Sequence, residues 1–202
     1  MRSSTNLCLL GAAMLGQCVS ASGPDPGASR PDQWQVWSAR RELAPRTAYD
    51  TNAGIWTVSG NGKPMRHGGW DLHWNAMPRG EWHEFSIDCQ TEGIESVHEN
   101  AHAELIYWKA NGKRADWRHV TYQKKESGRV KFAISCAVPT NAVRVTARLM
   151  LRWTGEGELR WSNPVLRRID KPKPRIVKMA IITGQPPGTS VAANLAFTEK
   201  LI

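Results

Sequence analysis

The chain has 202 residues and a formal net charge of +9 at pH 7, with 27 Lys and Arg against 18 Asp and Glu. That length holds one ordinary domain with a sizeable core. The basic residues are scattered, with no arginine-rich helix and no nucleic-acid signature. This argues against a nucleic-acid partner and leaves solubility, or attraction to an acidic cell-surface polymer, as the expected role of the charge.

Residues 1–21 carry one basic residue, Arg2, then an apolar centre at 7–15, then Val19 and Ala21 as small residues before a cut. This is the layout of a cleaved secretory signal, so the expected location is secreted or periplasmic, within the cell envelope. Gln17 before Cys18 argues against a lipid anchor, and no apolar run is long enough for a transmembrane segment. Cleavage removes Arg2, Cys8 and Cys18, leaving two cysteines and a charge of +8. Residues 22–32 form a polar, flexible leader.

Residues 33–169 read as one β domain. All ten tryptophans lie between Trp34 and Trp161, against three Phe and three Tyr in the whole chain. Short alternating runs recur at 54–59, 70–74, 82–89, 103–108, 119–123, 130–138 and 143–153, divided by turn sequences such as SGNGKP, PRG and NGK. Many short strands with that punctuation predict a mainly-β jelly-roll sandwich. Apolar and polar residues also alternate over 149–153 and 158–166, on either side of Gly155 and Gly157, which predicts an antiparallel hairpin.

The pattern then changes. Residues 170–175 form a basic, Pro-rich linker with nothing apolar to bury. Residues 176–183 (IVKMAIIT) are a nearly continuous apolar run, as in a strand covered on both faces. A Pro/Gly turn follows, Thr189 or Ser190 can cap a helix, and Val191, Leu195, Thr198 and Ile202 recur at helical spacing. One strand and one helix cannot bury their own apolar faces, so the chain is expected to be an amino-terminal fragment of a longer protein.

A Trp-rich β-sandwich ending in LRWTGEGELRWSNPVL, a basic linker and then VKMAIITGQPPGTSVAANLAFTEKLI resembles secreted carbon-nitrogen hydrolases of the nitrilase superfamily, some of which carry an amino-terminal galactose-binding-like domain. Asn194-Leu195 matches the family's usual Asn-Leu in the first helix of its α/β domain. The resemblance implies that residues 176–202 begin such a domain, truncated, and that the full-length protein hydrolyses amides or nitriles and forms homo-oligomers. The family uses a Cys nucleophile, a Glu base and a Lys. None of the three lies in this chain, since Glu199 comes too early, so the fragment itself has no catalytic residues and no cofactor is expected.

Three local patterns bear on chemistry. Phe85-x-Ile87-x-Cys89 and Phe132-x-Ile134-x-Cys136 place both cysteines on core faces, either as a disulfide or as two buried thiols. His98-Glu99-Asn100-Ala101-His102 matches the H-E-x-x-H motif, in which a helix turns two His toward one zinc and Glu activates water. No third His follows at a suitable distance, Glu126 is a poor third ligand, and residues 103–108 read as a strand. A zinc peptidase is thus a remote alternative and no metal is expected. Finally, residues 65–83 mingle Trp and His with Asp71 and Asn75, the mixture a sugar site uses. The ligand-binding candidates are Trp70, Asp71, His73 and Trp74. Alternation puts Trp70, Leu72 and Trp74 on one face, which favours the core for them and leaves Asp71 and His73 displayed. A secreted carbohydrate-binding or adhesive module is therefore the alternative function.

Overall fold

The computed structural model describes residues 28–78, 80–126, 129–174 and 190–199. Among the described residues there are eleven strands: β1 (Ala28–Ser29), β2 (Gln33–Ser38), β3 (Arg46–Asp50), β4 (Ile55–Ser59), β5 (His67–Trp74), β6 (Trp82–Glu92), β7 (Ala101–Lys109), β8 (Arg114–Glu126), β9 (Arg129–Ala137), β10 (Ala142–Arg152) and β11 (Glu158–Ile169). A single helical turn, α1 (Val97–Asn100), precedes β7, and a separate helix, α2 (Val191–Glu199), lies near the carboxyl end. Contacts divide the chain into two units between Lys171 and Pro172. Among the described residues no helix is long and apolar enough to cross a membrane.

The first unit is a two-sheet sandwich. One sheet has the order β2-β5-β10-β7-β8, and the other β8-β9-β6-β11-β4-β3 with β1 beside β11. β8 belongs to both: Val120 and the residues before it pair with β7, and Thr121 onward pairs with β9. Taken over β4 to β11, the orders β5-β10-β7-β8 and β4-β11-β6-β9 are those of a jelly roll, in which the chain passes repeatedly between facing sheets.

Period-two alternation builds the core. Trp70, Leu72 and Trp74 of β5, Phe85, Ile87 and Cys89 of β6, Leu149 and Leu151 of β10, and Leu159 and Trp161 of β11 are all buried between the sheets. Two of the indoles also find acceptors, Trp70 Nε1–H on the Thr57 carbonyl and Trp74 Nε1–H on the Ser29 carbonyl. A polar thread runs through this core. His83 Nε2–H donates to the Pro78 carbonyl at 2.7 Å, so its Nδ1 accepts from Tyr107 O–H at 3.5 Å, and the Tyr107 oxygen accepts from the Cys136 thiol at 3.4 Å. Burial raises the pKa of Tyr107 and of Cys136 and lowers that of His83, holding all three neutral.

One expectation is corrected, and one open alternative is decided. β10 and β11 do not form a hairpin: β10 lies between β5 and β7, whereas β11 lies between β6 and β4 in the facing sheet. Both strands alternate because both face one core, and alternation does not distinguish a neighbour beside a strand from one opposite it. The intervening turn is held instead against residues 60–64, with Gly62 N–H donating to the Gly155 carbonyl, and a Cβ on Gly155 would strike the Lys63 carbonyl. The cysteines are also not bonded. Cys89 pairs with Val130, six residues along β9 from Cys136. At about 3.4 Å per residue the two lie roughly 20 Å apart, far beyond disulfide reach.

The described part of the second unit is α2. Ser190 caps it, its Oγ accepting from Ala193 N–H at 3.2 Å, and Val191 and Leu195 are exposed. The strand expected over 176–183 lies outside the described residues.

Alkylation of the denatured, unreduced protein followed by peptide mass spectrometry should label both Cys89 and Cys136. A cross-linked pair of peptides containing them would contradict this register.

Candidate functional site

The outward residues of the five-stranded sheet align in rows, because register fixes which side chains stand side by side. One row reads Gln35, Asp71, Arg148, Glu104, His119 across β2, β5, β10, β7 and β8. A second reads Gln33, His73, Thr146, Ile106, Trp117, and a third Trp37, Gly69, Met150, His102. Arg144 of β10 stands opposite Trp108 of β7 beyond the second row.

Asp71 and Arg148 anchor this face. Arg148 Nε and Nη2 donate to the two carboxylate oxygens of Asp71 at 2.8 and 2.9 Å, a bidentate pair with Asp71 3% exposed. The guanidinium also lies 3.7 Å from the centroid of Trp37, so ring, cation and carboxylate form one fixed stack. Beside it Thr146 Oγ1 accepts from Trp108 Nε1–H at 2.9 Å and shares a 2.9 Å hydrogen bond with His73 Nδ1. Arg144 sits over the Trp108 ring at 5.4 Å.

These groups line an open cleft of about 400 Å³ whose wall includes Gln33, Gln35, Trp37, Asp71, His73, Asn75, Trp108, Arg144 and Arg148. Asp71 and His73 are thus on the cleft face. Trp70 and Trp74 are not: they are 7% and 0% exposed on the opposite side of β5, so strand alternation removes them from the set of residues that can meet a ligand. Trp37, Trp108, Arg144 and Arg148 were not singled out from the sequence. A signal for the two arginines was present in β10, where Arg144, Thr146, Arg148 and Arg152 fall on alternate positions.

The H-E-x-x-H geometry is not formed. α1 ends at Asn100, so His98 lies on a single helical turn and His102 on β7, and two His on different elements do not share the i, i+4 face that a zinc peptidase needs. Arg152 Nε donates instead to the backbone carbonyl of Glu99. His102 meets other partners: Glu104 on its own strand and His119 on β8. Burial would raise the Glu104 pKa, but its hydrogen bond to His102 and the charges of His102, Arg148 and His119 outweigh this and lower it.

No protein-family model matches the sequence, and no curated protein matches it. Solved structures similar to it include the enzymatically active domain of bacteriophage CBA120 tailspike protein 4, at 11% identity and TM-score 0.44 over 71% of this chain and 19% of that one. Another is the Clostridium thermocellum endo-1,4-beta-D-xylanase 10B comprising CBM22-1 and GH10 modules, at 13% and 0.48 over 76% and 28%. A third is a family 4 carbohydrate-binding module, at 13% and 0.47 over 68% and 88%. The chain thus spans less than a third of the length of the first two. No family model or curated relative supports the expected nitrilase-type hydrolase, and residues 175–189, where most of its motif falls, lie outside the described part.

Burial lowers the pKa of His67, His73, His83 and His119 below the ordinary 6.5, with Arg152 adding to the effect at His67 and His102 at His119. At His73, burial together with Arg144 and Arg148 outweighs the opposing Asp71. The unfolded chain therefore takes up protons at these sites before the folded one does, and stability falls as pH drops through 6.5. Thermal denaturation should show a lower midpoint at pH 5 than at pH 7.5; an equal or higher midpoint at pH 5 would contradict these assignments.

Proposed function

We propose that the outer face of the five-stranded sheet binds a saccharide and that this chain serves as an exported carbohydrate-binding β-sandwich module. The observation that carries the reading is the cleft itself, in which Trp37 and Trp108 converge with Gln33, Asp71, His73 and Asn75. A pyranose presents an apolar face and a rim of hydroxyl groups. It is matched by aromatic rings beside short groups that both donate and accept hydrogen bonds. Rigid placement on strands, with Arg148 and Thr146 already locked by neighbours, lowers the entropy cost of binding.

Charge narrows the class. Asp71 neutralises Arg148, whereas Arg144 has no carboxylate partner among the described residues and lies over Trp108 at the cleft wall. That cation favours a saccharide bearing an acidic group, in keeping with the basic balance of the chain. Export rests on the signal-like layout of residues 1–21.

Affinity electrophoresis or calorimetry against matched neutral and acidic polysaccharides should detect binding, tighter for the acidic members. Trp37→Ala and Trp108→Ala should each weaken it by about tenfold or more, since a buried aromatic contact contributes roughly 1.5–3 kcal/mol. Trp153→Ala, on the turn after β10, should leave it unchanged. Absence of binding to the panel, or full binding by both cleft variants, would contradict the proposal.

A further inference from the structure

At the β8 end of the same face, three ligand atoms from two strands converge. His102 Nε2 lies 2.8 Å from His119 Nδ1 and 3.4 Å from Glu104 Oε1, and His119 Nδ1 lies 4.0 Å from that oxygen. We propose that His102, Glu104 and His119 form a binding site for a divalent transition-metal ion, with Zn2+ as the fitting member.

The three distances define the fit. In the plane of the three atoms one point lies about 2.0 Å from each, the length of zinc bonds to imidazole nitrogen and carboxylate oxygen, and a sub-ångström shift of the half-exposed His119 away from His102 and toward Glu104 gives the spacing of about 3.3 Å that a tetrahedral site needs. Two nitrogens and one oxygen also suit zinc better than calcium or magnesium, which prefer oxygen alone. A single hydrogen now bridges the two imidazoles. On metal binding, the histidine that holds it carries its proton on its other ring nitrogen, and the ion takes the place of the bridge.

The site is held yet open. His102 and Glu104 side chains are 13% and 14% exposed, fixed at alternate positions of one strand, while His119 is 49% exposed and leaves a side for water or a ligand. Trp117 packs edge-on against the His119 ring at 4.2 Å and limits its rotation. The cations that act on this cluster have partners of their own: Arg148 is held by Asp71 and Arg152 by the Glu99 carbonyl. In the sequence His102 is half of the His98/His102 pair of the H-E-x-x-H motif. The strand geometry pairs it instead with a histidine 17 residues onward.

Equilibrium dialysis of the full chain against Zn2+ alone, with metal analysis, tests the assignment without any saccharide, so it stands or fails apart from the carbohydrate reading. The expected result is one zinc per chain with a Kd of roughly 1 μM or below. His119→Ala and Glu104→Gln should each bind at least tenfold more weakly, and His98→Ala should bind like the parent. His119 is half exposed, so its variant should keep the parent's circular dichroism and confirm that any loss is local. Zinc failing to bind stoichiometrically, binding unchanged in His119→Ala, or equal loss in His98→Ala would each overturn the site.

Discussion

The structure depends on the burial of large side chains at every second position of the strands that face one another. Trp74, Trp161, Phe85, Leu72, Leu149 and Leu159 are fully or almost fully excluded from water, and each such side chain contributes on the order of 1.5–3 kcal/mol. This burial fixes register, because a shift of one residue in β5 would bring Asp71 and His73 inward and turn Trp70, Leu72 and Trp74 to solvent. The order of the outer face follows directly. Once the indoles are committed inward, the polar residues between them must stand in rows on the far side.

Those rows are more than a solvated surface. A surface carboxylate and guanidinium usually gain little from pairing, but Asp71 is almost fully buried and meets Arg148 through two hydrogen bonds beneath the Trp37 ring. Removing either partner would leave the other charge buried without its counterion. The stack therefore holds Trp37 in place at the cleft, just as Thr146 holds Trp108 and His73. Two parts of the face then differ in chemistry: the cleft gathers Trp37, Trp108, Gln33 and Gln35, whereas His102, Glu104 and His119 cluster on β7 and β8.

The strands from β4 to β11 were legible because their alternation is long and their turns are rich in Gly, Asn and Pro. β2 and β3 were not among the expected strands, since QWQVWS and RTAYD are short and their residues largely exposed at sheet edges. Pairing was less legible than strand existence. The false hairpin of β10 with β11 arose because strands in opposite sheets show the same period as strands side by side. The two cysteines were correctly read as buried, but their separation depends on the register of β6 with β9, which no local pattern reports. Within the cleft, Asp71 and His73 were readable from the β5 alternation, whereas Trp37, Trp108 and Arg144 come from three other strands brought together only by the jelly-roll order. His119 joins His102 for the same reason, across the β7–β8 pairing.

The proposed ligand-recognition surface is the outer face of the five-stranded sheet. Two-dimensional amide NMR of the isotopically labelled chain, titrated with a soluble acidic oligosaccharide, tests it most directly. Shifts are expected at Gln35, Trp37, Asp71, His73, Trp108 and Arg144, with the amides of β6, β9 and β11 unmoved. Shifts centred on those three strands, or none at saturating saccharide, would contradict it.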